Sequence, residues 1–124
     1  MGHGKKNWYI VDGYLPYQGL CDSGQLVGHE AIMILNCNSH DAHILMDIYF
    51  EDKPPIKGIP ISVGSERVKC IRMDHADEIG GVTLGRQVQY ALRLSSDVDV
   101  IIQYGRMDLA QSNLAYIGLM GYQE

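Results

Sequence analysis

The chain has no long hydrophobic run. Among its 124 residues, 46% of them hydrophobic, no apolar segment approaches the ~20 residues that a transmembrane helix needs. The apolar stretch Trp8–Val11 is too short for a secretion signal and is followed by Asp12. The sequence therefore predicts a soluble protein, and its length predicts one domain over residues 1–124.

Cysteine is also scarce. The three cysteines, Cys21, Cys37 and Cys70, are odd in number and widely spaced, so no disulfide framework is expected and a reducing, cytoplasmic location follows. No Cys-x-x-Cys pair of the kind that binds zinc is present. We interpret Cys37 and Cys70 as small core residues.

Positive charge is in short supply. Ten Lys and Arg residues stand against fifteen Asp and Glu residues, which gives a net charge of −5. Nucleic-acid binding draws most of its affinity from basic side chains that neutralise phosphates, and no basic stripe exists here. The same deficit argues against attachment to an anionic membrane surface. The charge therefore argues against nucleic acid as a partner, although a local basic patch built by assembly of several chains stays open.

Motifs that carry chemistry are missing as well. The sequence has no His-x-His followed by Glu, no nucleophile elbow and no phosphate-binding glycine loop. We therefore predict no metal, no cofactor and no catalytic residue. Paired carboxylates suited to glycoside hydrolysis are available by number alone, and the candidates are Asp12, Glu30, Asp47, Asp52 and Asp108. A carbohydrate-processing enzyme remains an alternative.

No segment has a sustained helical period; one turn over Asp108–Tyr116 is the weak exception. Short segments with alternating apolar residues predict about eight strands, and eight strands without interleaved helices predict an antiparallel, jelly-roll-like β-sandwich. The predicted strands are Trp8–Tyr14, His29–Cys37, Ala42–Glu51, residues 59–63, Glu66–Met73, Arg86–Leu94, Val98–Asp108 and Asn113–Tyr122. Loops are predicted over Gly13–Gly28 and Asp74–Gly85.

Several strands carry a positional signal. His29–Cys37 is apolar on both faces, which places it centrally or under another subunit. Pro60 restricts the fourth strand to a sheet edge, and Gly64-Ser65 predicts a type II′ hairpin into the fifth. Ser95–Asp97 predicts a turn, and the inward residues before it are expected to be Val88, Tyr90, Leu92 and Leu94. The uncharged last strand is expected to be covered by another subunit, which predicts a homo-oligomer.

The predicted strand Val98–Asp108 ends in two residues of opposite charge. Val98, Val100, Ile102 and Tyr104 alternate on one face, and Arg106 and Asp108 follow on that same face. Residues two apart on a strand lie about 7 Å from each other, so the spacing allows an Arg106–Asp108 ion pair. Such a pair would hold the guanidinium fork in one direction. It either orients a small ligand or locks a subunit contact, and the sequence leaves both open.

These residues also carry a resemblance to a known family. The chain resembles the soluble sensory rhodopsin transducer family over Trp8–Tyr116. The likeness rests on motifs in a fixed order, namely Trp8 with Gly13, Gly28-His29-Glu30, Ile34-Leu35-Asn36, Asp41-Ala42-His43, Ile48-Tyr49, Asp52-Lys53-Pro54-Pro55, Arg67, Arg72, Val100-Ile101-Ile102-Gln103, Arg106, Asp108 and Gln111.

The resemblance implies a jelly-roll-like sandwich, a cytoplasmic homotetramer and a signalling role downstream of a membrane rhodopsin. It also implies small-molecule binding, such as sugar binding, in members that lack a rhodopsin. Three hypotheses follow: a small-ligand-binding module, a scaffold that docks a membrane photoreceptor or another protein, and a carbohydrate-processing enzyme. The predicted ligand-binding residues are Trp8, His29, Glu30, Tyr49, Arg72, Arg106 and Asp108.

Overall fold

The structure is a computed structural model that describes residues 3–17, 27–108 and 115–124. These residues form eight strands and one 3₁₀ turn over Ala76–Glu78. The strands are β1 (Lys5–Tyr14), β2 (His29–Asn36), β3 (Ala42–Phe50), β4 (Ile56–Val63), β5 (Arg67–Arg72), β6 (Gln89–Asp108), β7 (Ala115–Met120) and β8 (Tyr122–Gln123).

The strands form an antiparallel β-sandwich, as predicted, and its two layers share the strand β6. In the first layer, sheet 1, the order is β4-β3-β6-β1-β8, with the first half of β6 between β3 and β1. In sheet 2, the second half of β6 lies between β2, which also pairs with β5, and β7. One strand therefore passes from one layer to the other.

The turn predicted at Ser95–Asp97 is wrong, because these residues continue β6 for 20 residues without a break. Ser95 is paired with Asn7 of β1 on one side and with Leu45 of β3 on the other. The ladder on both sides satisfies the backbone groups that a turn would have left open, so the polar side chains do not end the strand.

The hairpin predicted at Gly64-Ser65 is also wrong. β4 pairs with β3 in sheet 1, whereas β5 pairs with β2 in sheet 2, so the connection crosses between layers. The left-handed residue in this connection is Glu66, with φ 51°. A type II′ hairpin would need a positive φ at Gly64 and strands that pair with each other.

The core lies between the two layers and is built from the alternation that the sequence predicted. Ile44, Met46 and Ile48 of β3 are buried, while His43 and Leu45 on its other face are exposed. β2 is central, between β5 and β6, and β4 with Pro60 is an edge strand of sheet 1, as predicted. Val100, Ile102 and Tyr104 of β6 share the inward face.

Other expectations are corrected. Val88 is exposed because it precedes β6, whereas Tyr90, Leu92 and Leu94 are buried. Cys37 and Cys70 are exposed, since Cys37 follows the end of β2 and Cys70 alternates with the buried Ile71. Two predictions lie partly outside the described residues. They are the loop Gly13–Gly28, most of which, with Cys21, is not described, and the helical turn and last strand, of which residues 109–114 are not described. Within the described ranges no helix has the length and apolarity of a membrane span.

Candidate functional site

A buried carboxylate connects three strands at one end of the sandwich. Glu30 of β2 has no exposed surface, because alternation along β2 turns it inward with Ile32 and Ile34. Its Oε1 accepts a hydrogen bond from the Tyr90 hydroxyl at 2.6 Å. Its Oε2 accepts hydrogen bonds from the Tyr14 amide at 2.9 Å and from the Tyr104 hydroxyl. The carboxylate is thus held by β1 and by both halves of β6.

Arg106 completes this network from the position directly opposite Glu30. The β2–β6 register pairs the two residues, and Arg106 Nε lies 3.1 Å from Glu30 Oε2. Nε also donates to the Tyr104 hydroxyl at 2.9 Å, and Nη2 donates to the Asp12 carbonyl at 3.2 Å. The guanidinium is therefore fixed in direction and also lies near the rings of Tyr14 and Tyr104.

Glu30 therefore has the orienting role that was predicted for Asp108. Directly opposite residues of an antiparallel pair are closer than residues two apart on one strand, and Glu30 is the carboxylate that the register brings opposite Arg106. Asp108, at the end of β6, is half-buried and has interactions of its own.

The environment of this network changes its acid–base properties. Burial raises the pKa of Glu30, and the hydrogen bonds from Tyr90, the Tyr14 amide and Arg106 oppose that rise without cancelling it. Burial and the neighbouring Glu30 also raise the pKa of Tyr90, so its hydroxyl remains a donor at neutral pH. The network is therefore suited to holding Arg106 in place rather than to exchanging protons with solvent.

Above Arg106 lies an open cavity between β1 and β7. Its volume is about 220 Å³, and its lining comprises Asp12, Tyr104, Arg106, Ile117 and Leu119. Asp12 is exposed, and its Oδ1 accepts a hydrogen bond from Gln89 Nε2 at 3.0 Å. A second depression of about 240 Å³ shares Asp12, Tyr104 and Leu119 and continues toward β8.

The other predicted site residues lie apart from this cavity. Trp8 is 1% exposed, and its Nε1 donates to the carbonyls of Lys5 and Val100. His29 Nδ1 lies 2.7 Å from the Val27 carbonyl. Tyr49 lies on the outer side of sheet 1 beside Arg93, and its hydrogen bond raises the pKa of that guanidinium. Of the predicted set, the structure brings Glu30 and Arg106 into direct contact.

Arg72 belongs to a separate cluster that includes Asp74. Arg72 Nε and Nη2 donate to the two Asp74 oxygens at 2.7 and 2.8 Å. Burial by itself would raise the pKa of Asp74, but the hydrogen bonds and charge of Arg72 outweigh burial and lower it. Arg86 is 3.7 Å from Asp74 and donates to the carbonyls of Pro16 and Gly28. This cluster therefore ties the ends of the first loop to the second.

Sequence reasoning missed Asp12, Tyr90, Ile117 and Leu119 as members of this region. The signal for Tyr90 was available, because a tyrosine at an inward strand position needs a buried partner for its hydroxyl. The other three could not be found from spacing, since β1 and β7 meet across the cavity from opposite ends of the chain.

The outer side of sheet 2 carries an uncharged surface. Val68, Leu35 and Ile101 are neighbours across three strands, and Cys70, Met33, Gln103 and Met120 are neighbours across four. Tyr116 lies over Gly105 on this side, since a Cβ at Gly105 would meet its hydroxyl. We call these residues the apolar face: Met33, Leu35, Val68, Cys70, Ile101, Gln103, Tyr116 and Met120. Val68, Tyr116 and Met120 are each more than half exposed, so the described residues of a single chain do not supply the cover expected for the last strand.

Comparisons with known proteins agree with this architecture. A crystal structure of Thermotoga maritima 1070 is similar to the chain with a TM-score of 0.85 and 25% identity, covering 98% of this chain and 97% of that one. The Anabaena sensory rhodopsin transducer is similar with a TM-score of 0.70 and 30% identity, covering 84% and 89%. A search of curated protein sequences gives no match. The family model described as Anabaena sensory rhodopsin transducer matches residues 3–123, and the chain therefore belongs to the sensory rhodopsin transducer family.

Proposed function

We propose that this chain is a docking module of a signal-transduction complex and that it assembles with copies of itself through the apolar face. The observation that carries this proposal is the exposure of Val68, Tyr116 and Met120 on one sheet surface. Exposed apolar patches rimmed by polar groups mark interaction sites in soluble proteins. Here the rim includes Arg72, bound to Asp74.

Charge favours a second copy as the occupant of this face. Each chain carries a net charge of −5, so two copies repel each other, and a contact surface without charged groups adds nothing to that repulsion at close range. In a two-fold contact the same patch meets itself, and like charges in that patch would lie close together. None of the eight residues of the apolar face is charged, so a symmetric contact brings apolar groups together without placing like charges of this face opposite each other.

The family suggests the class of signalling partner. The relative of 30% identity is described as a sensory rhodopsin transducer, and we infer that a rhodopsin-type membrane photoreceptor is the partner of this chain. Exposed free thiols at Cys37 and Cys70 suit a reducing cytoplasm, where such a receptor would present its inner surface. Binding to the receptor in lipid nanodiscs, measured by biolayer interferometry, tests this partner; no binding at micromolar concentrations would remove it.

Sedimentation equilibrium of wild type and Val68→Lys tests self-assembly. Lysine places a charge within a contact that pairs with itself, so the variant should dissociate at least tenfold more readily. Wild type should sediment at a multiple of the chain mass, with four chains expected from the family resemblance. Val11→Lys is the matched control, because Val11 is 75% exposed and lies in sheet 1. A monomeric wild type, or unchanged assembly of Val68→Lys, would contradict the proposal.

Small-ligand binding is the second candidate function. The observation that favours it is the guanidinium of Arg106, which is held by Glu30 and lines the cavity between β1 and β7. A fixed fork at the floor of a small cavity suits a polar group on a ligand. Sugar-like ligands remain part of this hypothesis. The carbohydrate-processing alternative gains less support, since both oxygens of Glu30 are bonded within the core.

A further inference from the structure

Two opposite charges line the cavity between β1 and β7 without neutralising each other. Arg106 forms its ion pair with Glu30, which is buried beneath the cavity. Asp12 contacts Arg106 through its backbone carbonyl, whereas its carboxylate is held by Gln89. In the described contacts, the Asp12 carboxylate and the Arg106 guanidinium are therefore bonded to other groups and not to each other, although both residues line the cavity.

Arg106 and Asp12 each have hydrogen-bonding groups beyond those used in the contacts above. Glu30, Tyr104 and Asp12 engage Nε and Nη2 of Arg106, and a guanidinium has two further N–H groups on Nη1. Asp12 is exposed, and Gln89 bonds to its Oδ1; a carboxylate accepts several hydrogen bonds. The cavity can therefore offer one cationic donor and one anionic acceptor to the same ligand.

The lining also contains two aliphatic side chains, and the space is small. Ile117 and Leu119 of β7 line the cavity, and each is about half exposed, at 51% and 55%. The volume of about 220 Å³ is below the roughly 300–1,000 Å³ of sites that hold drug-sized ligands. A ligand of a few heavy atoms that carries both charges and one apolar group would match this lining.

We propose that this cavity binds a small aliphatic zwitterion of the α-amino acid class, with its carboxylate on Arg106, its ammonium on Asp12 and its side chain against Ile117 and Leu119. The proposal rests on the small-ligand candidate above and names its ligand class. A sugar offers hydroxyls on all sides and would leave some of them facing Ile117 and Leu119 without a partner, which costs binding free energy. A zwitterion carries one group of each charge and leaves its aliphatic side chain free to contact Ile117 and Leu119.

Isothermal titration calorimetry with L-leucine and two truncated analogues tests the proposal. N-acetyl-L-leucine has lost the ammonium charge, and 3-methylbutylamine has lost the carboxylate. We expect L-leucine to bind with a Kd in the micromolar to millimolar range, and each analogue to bind about tenfold or more weakly, since each leaves one charged group of the cavity without its partner. Equal binding of N-acetyl-L-leucine would overturn the role of Asp12 and with it the zwitterion.

Variants and a second ligand show whether the proposed ligand class is wrong or whether the cavity binds no ligand. Asp12→Asn should weaken L-leucine binding about tenfold or more while leaving N-acetyl-L-leucine unchanged, and Asp77→Asn, an exposed carboxylate in the second loop, should change neither. Binding of D-glucose but not of L-leucine would overturn the zwitterion and keep a ligand site. Binding of none of these compounds would overturn the proposal, whereas the assembly of wild type and Val68→Lys tests the docking function independently.

Discussion

The register between β2 and β6 determines which carboxylate is the partner of Arg106. Glu30 and Arg106 are 76 positions apart in the chain and directly opposite each other in the β2–β6 ladder. Sequence reasoning singled out both residues, because each is a charged group at the end of an apolar strand. It paired Arg106 with the wrong carboxylate, since residues on one strand can be related by counting, whereas the register of two distant strands is set by tertiary packing.

The pH dependence of stability provides a residue-scale prediction for Glu30. Burial raises the pKa of Glu30 above its ordinary value of 4.5, so this carboxyl group is protonated more easily in the folded state than in the unfolded state. Stability from a raised pKa is present at low pH and is lost as pH rises through the folded-state value. The free energy of unfolding of wild type, measured relative to Glu30→Gln by urea denaturation, should therefore increase as the pH falls from 7 to 4, through the raised pKa and the ordinary value.

The comparison with Glu30→Gln isolates this group. Asp74 and Glu78 have lowered pKa values, so both lose stabilising interactions as pH falls, and they do so equally in both proteins. Their contribution cancels in the difference. If that difference is constant between pH 7 and pH 4, or decreases toward pH 4, the carboxylate is not held in the environment described.

At the scale of elements, β6 organises the sandwich because it belongs to both layers. The alternation of apolar residues predicted both of its halves, and the inward face of Val100, Ile102 and Tyr104 is confirmed. Its continuity was missed because Ser95, Ser96 and Asp97 are typical turn residues. Their preference is overridden where neighbouring strands flank Ser95 on both sides, and that information is absent from local sequence.

The contact between β1 and β6 gives an element-scale prediction. A Cβ at Gly13 would lie 2.5 Å from ring atoms of Tyr90, and that ring cannot move freely because its hydroxyl is bonded to buried Glu30. Gly13→Ala should therefore destabilise the protein by about 1–3 kcal/mol through overpacking, measured by thermal or urea unfolding.

Gly64→Ala is the matched control for this substitution. A Cβ at Gly64 would meet the Arg67 side chain at 3.5 Å, which is ordinary contact, so its effect should stay within about 0.5 kcal/mol. Equal effects of the two substitutions would show that the close packing of β1 on Tyr90 is not a feature of the folded protein.

At the scale of the whole molecule, the two sheets differ in what they present to solvent. The outer side of sheet 1 includes charged residues such as Asp47 and Arg93, which are opposite each other, whereas the apolar face of sheet 2 has none. The sequence predicted a covered last strand and a buried β2, but it could not show that Val68 and Cys70 extend the same surface. That surface exists because β5 pairs with β2 rather than with β4, a consequence of how the layers are connected.

Cys70 makes the central claim directly measurable, because this exposed thiol lies within the apolar face. In a Cys21→Ser, Cys37→Ser variant, Cys70 is the sole thiol, and its alkylation rate reports whether the face is covered. If copies of the chain assemble through the apolar face, the rate constant should fall at least tenfold between dilute protein and concentrations at which sedimentation shows assembly. An alkylation rate constant that stays the same across that range, while the protein is assembled, would contradict the account.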